Sequence, residues 1–377
     1  MRKRILMTMM VATMVLTTAC GGKDNSGKDN AGANNTQQGA EENGGEVSEE
    51  KSKFKIEGNV VREEEGILRL YDTGYLEIIN EENKEIYIQS GSDGYKLLEE
   101  IDFDKLVINA GTLVQFDEIR GKNIELYIVD DGAIGARACY KNQSITKVYI
   151  DSSATEVGKN TFDYCKSLKE AYIGGNVTKI GEEAFRDCES LEKVSLNEGL
   201  VDIDAKAFYS CRALKDFTLP KTLKTIGDDA FYWTLIKEVE IPASVERVNG
   251  FKQCTELSKV VFNEGLTVIE EGAFWNCRQI KELVFPKSLT EIQSNAFGDC
   301  MGIEKITFQD SATLIKEYAF LTCNSLTTVN FPETLVGIEF GAFDACYALE
   351  KVTLPKSLES KVDANAFNGF CTEVVYE

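Results

Sequence analysis

Eleven cysteines and no histidine define the side-chain chemistry open to this 377-residue chain. Without imidazole there is no Ser-His-Asp or Cys-His pair, no HExxH zinc helix and no imidazole titrating near neutrality. Thiols and carboxylates remain. Eight cysteines, Cys165, Cys188, Cys211, Cys254, Cys277, Cys300, Cys323 and Cys346, recur mostly at 23-residue steps. Metal sites usually need clustered ligands such as Cys-x-x-Cys, which does not occur here. Thr234 stands in the cysteine slot between Cys211 and Cys254, dividing the row into a run of three and a run of five. Neither odd run can pair completely, so buried structural thiols, packing as small hydrophobes, are the expected role. The acidic pairs Asp202/Asp204 and Asp130/Asp131 lack the spacing of an Asp-rich calcium loop. Acidic residues occur in nearly every repeat, so no glycosidase pair stands out. These considerations assign no catalytic residue, no metal ligand and no cofactor.

The cysteine row is one column of a larger period. Three residues before each cysteine stands Phe162, Phe185, Phe208, Phe251, Phe274, Phe297, Phe320 or Phe343, with Phe231 and Phe367 extending the series. Ala usually precedes that Phe, and Ile180, Ile203, Ile226, Ile269, Ile292, Ile315 or Ile338 lies five residues before it. A Leu-x-x-Val-x-Leu segment follows the cysteine, as in Leu191 to Leu196. An earlier copy places Cys139 in the Phe slot, giving eleven copies over roughly 124–377. In each, the Val-x-Leu pair reads as a strand with both apolar side chains inward. The Ile, Ala, Phe and Cys fill the interior from the opposite wall. No copy can bury its apolar side chains alone, so the coils must stack.

This pattern resembles the BspA-type leucine-rich repeat of bacterial cell-surface proteins. The resemblance implies a right-handed leucine-rich-repeat solenoid of the α/β type, with one short parallel strand per ~23-residue coil. It also implies adhesion or recognition, with host or microbial surface proteins or glycans as partners. One coil departs from the period: Phe231 to Phe251 spans 20 residues, with one deletion before Val239-Glu240-Ile241 and two between Val248 and Phe251. A local kink or change of curvature is expected there.

The N-terminal region differs. Arg2, Lys3 and Arg4 precede an apolar stretch from Ile5 to Ala19, shorter than the ~20 residues of a membrane span. Residues 1–19 therefore read as an export signal. The sequence Thr17-Thr18-Ala19-Cys20-Gly21 resembles a bacterial lipobox, in which Cys20 is acylated and becomes the new N-terminus. Thr17 holds the place usually filled by Leu. Residues 20–53, rich in Gly, Asn, Ser, Lys and Glu, read as a disordered acidic tether. Residues 54–123 read as a small β-rich capping module, with an independent ligand-binding domain as the alternative. Strand candidates there are Phe54 to Val61, Ile67 to Tyr71 and Leu113 to Ile119, plus a hairpin of Tyr75 to Ile79 with Glu85 to Ile88. A net charge of −21 argues against nucleic acid as a partner.

Outward strand positions form the concave face, if the family geometry holds. One row is Lys147, Glu170, Lys193, Asp216, Glu238, Lys259, Glu282, Lys305, Thr328, Lys351 and Glu373, mostly alternating in sign. Opposite charges on adjacent strands attract, so the row should fix register. The next row carries two apolar pairs, Tyr149 with Tyr172 and Val261 with Val284. These residues, with Lys193, Lys259 and Lys305, are the candidate binding positions on that face. Tyr209, Tyr232, Trp233 and Trp275 are the candidates on the rim, where aromatic rings suit sugars or protein pockets. The expected function is non-catalytic binding at the cell surface, through an extracytoplasmic lipid anchor. The alternative is an envelope scaffold or an accessory subunit of a surface enzyme system.

Overall fold

The structure, a computed structural model, describes residues 59–64, 67–72, 75–80, 85–88, 104–109, 122–129, 132–151, 153–215, 217–367 and 373–377. The export signal, Cys20, the tether and the strand candidate at 113–119 lie outside these residues. The first four strands form an antiparallel meander: β1 (Asn59–Glu64), β2 (Ile67–Asp72), β3 (Tyr75–Asn80) and β4 (Glu85–Ile88). The hairpin of β3 and β4 pairs Asn80 with Glu85 and Glu77 with Ile88. Next comes a strand the sequence pattern did not single out, β5 (Lys105–Asn109), parallel to β4 and to β6 (Ile124–Val129). The same sheet runs on through Ile145–Ile150, Glu170–Tyr172 and Lys193–Ser195, nine strands in all. The meander therefore continues the sheet of the first coils, covering a strand edge that would otherwise be open.

From residue 132 onward the coils repeat the sequence period. Long-face strands alternate buried and outward residues, as in Lys259–Phe262, where Val260 and Phe262 are buried and Lys259 and Val261 exposed. A second short strand occurs at the Ile position, three and four residues long in the first two coils and two residues long from Lys179–Ile180 to Gly337–Ile338. Ile180, Ile203 and Ile226 lie in register in one such ladder, and Ile269, Ile292, Ile315 and Ile338 in another. The first ladder ends at Thr225–Ile226 and the second begins at Arg247–Val248, so the break falls at the short coil.

Between Ile and Cys the chain forms the outer wall without an α-helix among the described residues. Two residues of each regular coil, two before and two after the Phe, adopt a left-handed backbone. Asn160 and Tyr164 bracket Phe162, Glu183 and Asp187 bracket Phe185, and Asn295 and Asp299 bracket Phe297, with φ between 53° and 61°. Such non-Gly residues cost about 1 kcal/mol each. Each turn is compensated by bonds to the next coil: Phe185 N–H donates to Ala207 O (2.8 Å), and Asp187 N–H to Tyr209 O (2.8 Å).

Inside, Phe162, Phe185, Phe208, Phe231, Phe251, Phe274, Phe297, Phe320, Phe343 and Phe367 form one continuous stack. Neighbouring rings are 5.0–5.4 Å apart and within 14° of parallel. The stack crosses the short coil without a gap, Phe231 to Phe251 being 5.1 Å. The deletion thus interrupts the Ile ladder and the outer wall but leaves the aromatic column intact.

Candidate binding site

The long-strand face brings the expected charged row together. Lys147 faces Glu125 and Glu170 across the sheet at 3.4 and 3.5 Å. Lys259 pairs with Glu238 at 3.4 Å and Lys351 with Glu373 at 3.3 Å. Lys305 lies in register between Glu282 and Thr328. These contacts are partly exposed around Lys147 and exposed at Lys259 and Lys351, and they contribute at most ~1 kcal/mol each, chiefly as register markers.

Tyr149 and Tyr172 stack at 4.8 Å and 2°. A third ring, Tyr127 of β6, extends the column from the other side at 4.5 Å and 10°. Tyr127 was missed in the sequence, although Glu125-Leu126-Tyr127-Ile128 repeats Lys147-Val148-Tyr149-Ile150. The three half-buried rings are tied into the charged row. Tyr127 OH donates to Glu125 Oε2 at 3.1 Å, and Tyr172 OH donates to Glu170 Oε2. That second bond draws the Glu170 carboxyl below its ordinary range and pushes the Tyr172 phenol up to about 12. Burial, with Glu125 adding to it, raises Tyr149. Partial desolvation works against the charge on Lys147, yet Glu125, Tyr149 and Glu170 together raise its pKa. Lys193 closes the end of the column, its Nζ 5.6 Å from the Tyr172 ring centre. The result is a rigid aromatic strip with charges fixed along one side.

Val261 and Val284 are exposed, at 37% and 43%, on successive long strands. Those strands belong to separate ladders: Val261 pairs in register with Glu240, and Val284 with Thr307. The two strands are nonetheless neighbours, the next residues along them, Phe262 and Phe285, stacking at 5.6 Å.

On the outer wall, Tyr209 and Tyr232 stack at 4.5 Å, and Trp233 meets Tyr232 edge-on at 6.3 Å. Arg212 lies 3.8 Å over the Trp233 ring, a cation–π contact with no counterpart in the sequence reading. Trp275 stands apart from this group, on the far side of the short coil, with Lys252 Nζ 5.3 Å from its ring centre.

The nine described cysteines are buried free thiols. From Cys165 onward, each Sγ faces the carbonyl oxygen in the Phe slot of the preceding coil, as in Cys188 to Phe162 (3.1 Å) and Cys300 to Phe274 (3.0 Å). Burial raises the pKa values of the eight from Cys139 to Cys323, Cys254 to about 11 and Cys300 to about 12, so these are protonated donors and poor nucleophiles. Among the described residues no group of three or more His, Cys, Asp or Glu side chains is placed to hold a metal ion. No helix among them is long and apolar enough to cross a membrane.

A family model described as BspA type leucine rich repeat region, in six copies, matches residues 132–250 and 247–374, more than half of the chain. No curated protein matches. Among solved structures, a leucine rich cell surface protein from Faecalibacterium prausnitzii is 21% identical, covering 82% of this chain and 94% of its own, with a TM-score of 0.40. A leucine-rich repeat protein from Bacteroides ovatus is 20% identical, covering 86% of this chain and 100% of its own, with a TM-score of 0.46. The pneumococcal vaccine antigen PcpA is 14% identical, covering 85% of this chain and 99% of its own, with a TM-score of 0.43.

Proposed function

Because the chain belongs to the BspA-type leucine-rich repeat family, we propose that it is a non-catalytic binding protein of the bacterial cell surface, tethered through lipid on Cys20. Its partner is a host or microbial surface protein or a glycan. The observation that carries this reading is the Tyr127–Tyr149–Tyr172 column beside Glu125, Lys147 and Glu170. Its rings and charges are already held in place, so binding loses little side-chain entropy and modest contacts can sum to useful affinity. Tyrosine also offers apolar area with a polar edge, a combination common at recognition surfaces.

The test is a binding screen of soluble 54–377 against immobilised matrix proteins and a glycan array, with a 124–377 fragment beside it. Saturable binding kept by 124–377 and lost on Tyr149→Ala with Tyr172→Ala supports the reading. Binding that needs 54–123 moves recognition to the N-terminal strands. The absence of any binding favours an envelope scaffold. Metabolic labelling with a fatty acid, abolished by Cys20→Ala, tests the anchor.

A further inference from the structure

The short coil opens a groove of about 540 Å³ in the outer wall. Its origin is the deletion itself. Regular coils link Ile to Phe through four residues, as in Gly227-Asp228-Asp229-Ala230 and Glu270-Glu271-Gly272-Ala273. The short coil uses only Asn249-Gly250, so two coils face each other across missing chain. Asp228 and Asp229 form one wall, Glu270, Glu271 and Trp275 the other, with Asn249 and Lys252 between.

The deletion also leaves backbone groups without their usual partners. In regular coils the residue two before the Phe donates its N–H to the next coil, as Glu183 does to Ala205 O and Lys206 to Asp228 O. Among the described residues, Asp229 N–H has no such acceptor and Glu271 C=O no such donor. The Asp229 and Glu271 carboxylates make no ion pair there either, whereas Glu270 is held by Arg247 at 2.7 Å. Asn249 is fixed as the floor, its Nδ2 2.8 Å from Asp228 Oδ1. Gln293 Oε1 accepts Glu271 N–H at 3.2 Å, which aims its amide at the same space. Trp275 is backed by Gly298, where an added Cβ would lie 2.9 Å from Trp275 Cδ1. Lys252 is the only cation among the lining residues.

We propose that this groove is a carbohydrate subsite that takes a hexose-sized unit without a carboxylate. Hydroxyls both donate and accept, matching a mixed rim of N–H, C=O, carboxylate and amide groups. The Trp275 indole with the Lys252 ammonium 5.3 Å from its ring centre offers an apolar wall and a hydroxyl donor side by side, which suits the edge of a sugar ring. Four carboxylates against Lys252 and the paired Arg247 repel uronic and sialic acids. The site is independent of the tyrosine column and binds whether or not that column does.

The test uses the full chain on an array of neutral hexose, N-acetylhexosamine, uronate and sialylated oligosaccharides, followed by titration calorimetry on the strongest feature. Neutral or N-acetylated sugars are expected to bind. Trp275→Ala should weaken binding about tenfold, as expected for loss of the apolar wall. Inserting Ser-Gly after Asn249, which refills the deleted chain without changing any lining residue, should abolish it. Glu271→Gln, a substitution that leaves the core untouched, should weaken binding if the insertion prevents folding, which circular dichroism reports. Tyr149→Ala with Tyr172→Ala should leave this binding unchanged. The proposal is overturned if no array feature binds or if only anionic sugars do. Binding that survives both Trp275→Ala and Glu271→Gln, or is lost only with the tyrosines, overturns it too.

Discussion

The Sγ of Cys277 lies 3.1 Å from the carbonyl oxygen of Phe251, one coil back in the stack. That carbonyl also accepts the N–H of Cys254 at 3.3 Å, so the thiol occupies its second lone pair. The same contact recurs down the column, explaining a row of cysteines with no metal-ligand or catalytic spacing. Cys277→Ala is expected to cost about 1–2 kcal/mol, combining a small cavity with a lost weak bond. Cys277→Thr should cost less, because Thr234 is already accommodated in this slot, its buried Oγ1 donating at 3.0 Å to Phe231 O of its own coil instead of to the coil before. Urea unfolding midpoints of the two variants check the order.

The same burial sets thiol reactivity. With Cys254 pushed up to about 11 and Cys300 to about 12, almost no thiolate exists at neutral pH. A maleimide or disulfide reagent at pH 7.5 is expected to leave the nine described cysteines unlabelled in the native protein and to label all nine in denaturant, as mass spectrometry would show. Rapid native labelling at any ladder position would mean that the coil opens locally.

Much of this was legible in the sequence because a solenoid converts period directly into position. Phe, Cys, Ile and the Val-x-Leu pair each recur in one slot, and stacking places each slot in one column. The register of Lys147 with Glu170 followed from the same counting. The Ile ladder was harder to see, since a two-residue strand has no alternation to detect. Nor does the left-handed turn announce itself through glycine: Asn160, Glu183, Lys206 and Tyr318 all adopt it. The deletion at the short coil was visible, but the groove was not. Its walls come from residues 20 or more positions apart that face one another only after the coils stack.

Gly250 gives the deletion a measurable signature. It bridges the shortened loop at φ +98°, and an added Cβ would sit 3.0 Å from Gly227 O and 3.1 Å from Ile226 Cγ2. Gly250→Ala is therefore expected to cost about 1–3 kcal/mol from backbone strain and crowding. Gly272, at φ +63°, meets only Trp275 Cβ at 3.9 Å, and its slot holds Asn, Glu or Lys in other coils. Gly272→Ala should cost about 1 kcal/mol or less. Thermal unfolding of the two variants separates a strained bridge from an ordinary left-handed turn.

Asp163 makes the stability of the first coils depend on pH in an unusual direction. Its side chain is 3% exposed, 3.4 Å from Arg186 Nε, with Asn160 donating to Oδ2 at 3.0 Å. Burial raises its pKa from 3.8 to about 6, against the pull of Arg186 and Asn160 and with help from Glu183 and Asp187. The folded protein therefore holds this proton between about pH 4 and 6, where the unfolded chain releases it. The contribution of Asp163 to stability is greatest below that window and falls by about 1–3 kcal/mol as pH rises through it. Glu183 shifts the opposite way, so a raw pH curve mixes the two. The difference between wild type and Asp163→Asn isolates Asp163, since asparagine cannot ionise and Arg186 keeps Glu183 at 2.9 Å. Asp163→Asn is expected to be the more stable protein at pH 7.5, with the gap closing by pH 4, as urea unfolding across the range would measure. A variant less stable at pH 7.5 would show that the ion pair with Arg186 outweighs the burial of the charge.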